Sequence, residues 1–250
     1  MSSDSVYANW QFDTLWRDAD YSVCRMRAPD GSASKLAKTL HAHAPGAAAL
    51  ERLEHEYALR DKLDPQWAVC PLALARRDGR PMLVLSDPGG EPLANRLGAP
   101  MPPVRFLPIA CALAAALAQL HQRGIVHKDI TPANALVDLE RGVARWMGFG
   151  IASVQPRERQ PLALPQDVAG TLAYMAPEQT GRMNRSIDLR SDLYSLGATF
   201  YQMLVGALPF SATDPMELFH CHLARQATPP VARVPGLPAA LSDIVMKLLS

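Results

Sequence analysis

The sequence carries no excess of either charge, few cysteines and no long apolar run. Twenty-five Lys and Arg stand against 24 Asp and Glu, a formal charge of +1 over 250 residues. So even a balance gives no electrostatic reason to expect nucleic acid or an anionic membrane as a partner. The four cysteines, Cys24, Cys70, Cys111 and Cys221, are widely separated and form no C-x-x-C pair. They read as reduced, mostly buried thiols, and cytoplasmic localisation is the expectation. The first ten residues are polar and unlike a signal peptide. The longest apolar run, residues 106–118, contains Pro108 and is shorter than the ~20 residues a membrane span needs. It reads as an Ala-rich buried helix, and no membrane segment is expected.

What is present is enough apolar residue, 48%, for one compact unit or two lobes sharing a cleft. Up to about residue 86 short strand-like runs dominate. Residues 21–26 and 35–40 read as strands, with Asp30-Gly31 as a turn between them. A helix is predicted over residues 47–63, because Leu50, Leu53, Tyr57 and Leu63 recur at helical spacing. Residues 68–70 and 81–85 read as two further strands. Pro88-Gly89-Gly90 is turn chemistry and the candidate hinge between lobes 1–86 and 87–250.

Beyond the hinge helices dominate. One is predicted over residues 104–123, stopping at Gly124; one starts at Asp192 and ends at Gly206; one opens at Asp214-Pro215. Two short strands are expected near residues 135–137 and 143–146, and a loop over 153–169. Ser242 reads as the cap of a last amphipathic helix, whose pattern runs unbroken to Ser250, so a continuing or truncated chain is expected.

The chemistry concentrates in His127-Lys128-Asp129-Ile130-Thr131-Pro132-Ala133-Asn134, followed after a short strand by Gly148-Phe149-Gly150. An Asp with an Asn five residues on suits phosphoryl transfer. That reaction asks the protein mainly to position a hydroxyl, accept its proton and hold the phosphate charge. His220-Cys221-His222 suggests a metal site only superficially, since residues two apart on a helix point to different sides. His41 and His43 are read the same way.

The segment resembles the catalytic loop of a eukaryotic-type Ser/Thr protein kinase domain of bacterial kind. Gly170-Thr171-Leu172-Ala173-Tyr174-Met175-Ala176-Pro177-Glu178 resembles the end of its activation segment, and Asp192-Leu193-Tyr194-Ser195-Leu196-Gly197 the start of its buried central helix. Residues 179–185 and 216–222 are similar to the N-terminal kinase-like domain of large bacterial hybrid sensor kinases. The resemblance implies an α+β, bilobal fold with a small antiparallel β lobe carrying one helix and a larger helical lobe. It implies ATP and Mg²⁺ in the interlobe cleft, and ATPase, sensor and histidine-kinase domains as partners in a longer chain. It makes Asp129 and Asn134 catalytic, with Asn134 also a metal ligand. It makes Lys38 the lysine that meets the phosphates and Glu56 its helix partner, Lys35 being a competing lysine. It gives Asp192 hydrogen bonds to the catalytic-loop backbone.

The departures from that pattern point one way. Where the family's metal-binding Asp stands, this chain has Gly148. The three glycines of a phosphate-cradling loop fall on Trp16, Asp18 and Tyr21, and Asp18 and Asp20 bring negative charge there. Thr131 replaces a Lys, Lys128 replaces an Arg, and Glu178 lacks the Arg that pairs with it. The expectation is a kinase-like, pseudokinase-leaning domain with weak or lost transfer to a protein hydroxyl. The alternatives are an inactive docking or regulatory module and a small-molecule phosphotransferase.

Overall fold

A computed structural model describes residues 7–42, 45–154, 172–181 and 185–250. His43, most of the predicted loop 153–169, Gly170-Thr171 and residues 182–184 lie outside the described residues. Five strands form an antiparallel sheet in the order β1-β2-β3-β5-β4: β1 Gln11–Arg17, β2 Tyr21–Arg27, β3 Ser34–Leu40, β4 Pro71–Arg77 and β5 Arg80–Ser86. Alternation gives this sheet two different faces. Leu36, Leu40, Val23, Leu83 and Leu85 pack inward with Leu53 of helix α1, Ala47–Ala58. Met26, Ala37, Met82 and Val84 face the other way, where Tyr7, Trp10 and Phe12 cover them.

The larger part is helical: α2 Pro103–Gln122, α3 Leu189–Val205, α4 Pro215–Ala224, α5 Pro230–Arg233 and α6 Ala239–Leu248. A three-stranded sheet, β6 Glu91–Pro92, β7 Ala135–Asp138 and β8 Val143–Trp146, lies at its junction with the small lobe. By length and composition α2 is apolar enough to cross a bilayer. In this fold Phe106, Leu113, Leu117 and Leu120 bury one of its faces, and Phe106 meets Phe200 of α3 edge-on. The architecture is the α+β, bilobal protein-kinase-like fold, with one helix on the small antiparallel sheet.

Several boundaries differ from the sequence reading. Residues 68–70 are not a strand; Ala68 makes a single bridge to Trp146, and the strand begins at Pro71. The first helix ends at Ala58 and tightens into a 3₁₀ turn over Arg60–Lys62. α3 starts at Leu189, not Asp192, because Asp188 caps it by accepting the Arg190 N–H at 2.9 Å. Ser242 lies inside α6, and its hydroxyl accepts the Val231 N–H rather than capping. β1 has no counterpart in the sequence reading; its exposures do not alternate cleanly and its register slips between Thr14 and Trp16.

The junction after β5 is fastened to the small sheet. Arg25 of β2 donates from Nε and Nη2 to both oxygens of Asp87, at 2.7 and 3.1 Å, and from Nη2 to the Gly90 carbonyl at 2.7 Å. Ser34 and the Gly89 N–H donate to the same carboxylate, which is 4% exposed. Burial opposes its ionisation, but these hydrogen bonds outweigh that and hold the Asp87 carboxyl below its usual range. Gly90 must be glycine twice over: φ is +79°, and a Cβ would lie 2.4 Å from the Val137 carbonyl oxygen.

Candidate active site

Strand register decides between the two lysines. Lys38 sits opposite Val23 and Leu83 on the inward face, so its ammonium enters the cleft. Lys35 lies on the outer face, 5.5 Å from the ring centres of Tyr7 and Trp10. Lys38 Nζ is 3.3 Å from Oε2 of Glu56, whose side chain is 0% exposed, and Glu56 Oε1 accepts the Gly148 N–H at 3.0 Å. Burial alone would depress the Lys38 ammonium. The neighbouring Glu56, with Tyr21 and Asp129, reverses this and raises it, so the group stays cationic. His55, one residue before Glu56, ties the same helix to the segment just beyond Gly150 by donating to the Ala152 carbonyl at 2.7 Å.

The catalytic-loop segment is held by a buried carboxylate. Asp192, 0% exposed, accepts the His127 N–H at 2.8 Å and the Lys128 N–H at 2.7 Å. His121 at the end of α2 adds a third donor, its Nε2 lying 2.8 Å from Oδ2. These bonds stabilise Lys128 in a left-handed backbone conformation, φ +67°, that a side-chain-bearing residue adopts at a cost. Gln179 then bridges two segments, donating to the Lys128 carbonyl at 2.8 Å and accepting the Ala176 N–H at 3.0 Å. His127 is buried and neutral, its pKa lowered by desolvation. Nε2 donates to the Met147 carbonyl while Nδ1 accepts the Asp129 N–H. The sequence implied the Asp192 bonds; neither Gln179 nor His121 was singled out.

Asp129 and Asn134 are brought together as expected. Asn134 Nδ2 donates to the Asp129 carbonyl at 2.9 Å and to its Oδ2 at 2.8 Å. That leaves Asp129 Oδ1 buried and without a hydrogen-bond partner among the described residues, an acceptor available to a hydroxyl proton. Glu178 is not a buried, unpaired carboxylate as the missing Arg implied. It is half-buried, and Oε1 accepts the Ser191 hydroxyl at 2.5 Å.

The cleft between these groups is lined by the polar Lys38, Glu56 and Asn134, by Gly148, and by Tyr21, Val23, Leu85 and Met147. Lys38 fits an anionic phosphate. A Mg²⁺ ion prefers carboxylate and phosphate oxygens, and here the fit fails. Gly148 offers no carboxylate, and the space its side chain would need is taken by the Asn134 amide, 2.3 Å from a Cβ at that position. Among the described residues no three His, Cys, Asp or Glu side chains cluster as a metal site, so His220-Cys221-His222 forms none.

The β1–β2 turn stands where a phosphate-cradling loop was sought. It is a tight hairpin, and Asp18 Oδ1 accepts the N–H groups of Asp20 and Tyr21 at 2.8 and 2.9 Å. Its amide donors are therefore turned onto the chain's own carboxylate.

Residues 32–250 match the protein kinase domain, so this turn lies just before the matched part. The probable serine/threonine-protein kinase PknB of Bifidobacterium longum is 39% identical over 135 residues, 54% of this chain and 19% of that one. The DNA damage-responsive serine/threonine-protein kinase RqkA of Deinococcus radiodurans is 36% identical over 176 residues, 69% of this chain and 26% of its own length. The serine/threonine-protein kinase PknB of Mycobacterium tuberculosis is 36% identical over 151 residues, 60% of this chain and 24% of that kinase. The chain thus spans a fifth to a quarter of the length of these relatives. A paired Lys38 and Glu56, an Asp129–Asn134 loop anchored on Asp192 and the match over residues 32–250 agree: the chain belongs to the protein kinase family.

Proposed function

We propose that this domain binds ATP in the cleft around Lys38 and that phosphoryl transfer to a protein hydroxyl is weak or lost. The observation that carries the reading is the exchange at Gly148: the carboxylate is gone and the Asn134 amide fills its place. Lys38, held by Glu56, supplies the cation for a phosphate, and Asp129 Oδ1 is free to accept a hydroxyl proton. Lost metal ligation that slowed transfer on the order of 10³-fold would remove about 4 kcal/mol of transition-state stabilisation. The test is a thermal shift with ATP, with and without Mg²⁺. A small shift that is nearly independent of the metal is expected.

A working Ser/Thr kinase is the second reading. It is favoured by the intact Asp129–Asn134 and Lys38–Glu56 geometry and by the names of the relatives. A large, Mg²⁺-dependent shift together with label transfer from ATP to a protein hydroxyl decides for it. The wider setting we propose is a cytoplasmic regulatory or docking module of a longer bacterial signalling protein with ATPase, sensor and histidine-kinase parts. Residues 179–185 and 216–222 and the small share of each relative that aligns support this. The reading frame around the encoded domain tests it.

A further inference from the structure

One side chain in the cleft has no task in the reading above. Tyr21 opens β2 directly after the Asp18 turn, and the alternation of β2 places it with Val23 on the face toward Lys38. Its ring centre lies 4.4 Å from Lys38 Nζ, so the ammonium is held between the Glu56 carboxylate and an aromatic face. Burial raises the phenol, with Lys38 partly offsetting this, so the ring brings bulk without charge. The turn above it offers no compensating donors, because Asp18 has taken the Asp20 and Tyr21 amides.

We propose that Tyr21 determines the ligand specificity of this cleft: its ring covers Lys38 where a phosphate must sit to meet the ammonium. The cleft then takes a nucleoside-sized ligand, against Val23, Leu85 and Met147, more readily than a nucleoside triphosphate. Triphosphate binding requires the ring to swing away. The inference rests on the reading of the cleft as a nucleotide site.

The test compares wild type, Tyr21→Gly, Tyr21→Ser and Tyr21→Phe in calorimetric titrations with ATP and with adenosine. Alongside, Lys38 is labelled with pyridoxal phosphate, an anionic aldehyde, reduced with borohydride and mapped by mass spectrometry. Truncating the ring is expected to tighten ATP binding at least ~10-fold, and adenosine binding less than ~3-fold. Lys38 labelling should become several-fold faster in both truncated variants, with Tyr21→Phe matching wild type throughout. Two truncations guard against a folding defect in either one. Unchanged Lys38 labelling overturns the proposal, as does a gain for ATP no larger than that for adenosine. Faster labelling in variants that bind neither ligand keeps Tyr21 as the cover of Lys38 and overturns the nucleotide reading instead.

Discussion

Gly148 and Asn134 share one volume: a methyl group on Gly148 would lie 2.3 Å from Asn134 Oδ1 and 2.6 Å from its Cγ. Asn134 cannot simply turn aside, because its amide nitrogen holds both the backbone and the carboxylate of Asp129. The absence of a side chain at Gly148 and the packing of the catalytic loop are therefore linked in this structure.

Gly148→Asp tests this. Returning the carboxylate meets a crowded position at φ +83°, so the variant should be less stable by about 1–3 kcal/mol. It should gain no phosphoryl transfer. Urea unfolding and an autophosphorylation assay check both halves, and a variant that is as stable as wild type and active refutes them.

Lys38→Met and Glu56→Gln should both destabilise. The first leaves the fully buried Glu56 carboxylate without its ammonium, a loss of about 3 kcal/mol. The second keeps an oxygen to accept the Gly148 N–H but leaves the largely buried Lys38 ammonium without its counter-charge, a loss of similar size. The double variant, with neither charge, should cost less than the two single losses summed, and chemical denaturation of all three measures this.

Asp192→Asn replaces one of two accepting oxygens by a donor facing N–H groups. We expect a loss of about 2–4 kcal/mol and faster amide exchange at His127 and Lys128, read by hydrogen–deuterium exchange. Exchange unchanged at those two amides would mean that the loop is held by something else.

His222 gives a pH dependence with a definite sign. It is buried between Tyr194 and Phe210, and burial lowers its pKa from 6.5 to about 4. The unfolded chain takes up this proton first. The contribution is therefore fully present above pH 6.5 and is lost progressively as pH falls towards about 4. His222→Asn should flatten the melting temperature between pH 7 and 5 relative to wild type. An equally steep decline in the variant would assign the effect to other groups.

The fold class was legible in the sequence, its element boundaries less so. Lys38, Glu56 and Asp192 were named by resemblance to the kinase pattern, and the structure pairs Lys38 with Glu56, Asp129 with Asn134, and Asp192 with the loop backbone. Tyr21 was marked only as a missing glycine. Its two-residue spacing from Val23 was the available sign that its ring faces Lys38. Glu178 was expected to lack a partner because an arginine was sought far along the chain, whereas a serine one helical turn into α3 supplies a hydroxyl. Helix starts failed where the cap precedes the conspicuous residue, as Asp188 precedes Asp192. β1 stayed hidden because its exposures do not alternate cleanly and its register slips, so pairing with β2, not local pattern, makes it a strand.

The Arg25–Asp87 clamp has a mechanical consequence. With Asp87 bound to β2 and β3, and with Gly89 and Gly90 bound in turn to Asp87 and Arg25, the chain through Gly90 is fastened to the small sheet. The hairpin that carries Asp18 and Tyr21 is thus one end of a stiff lever that includes this junction. Lifting it away from Lys38 tilts the whole sheet.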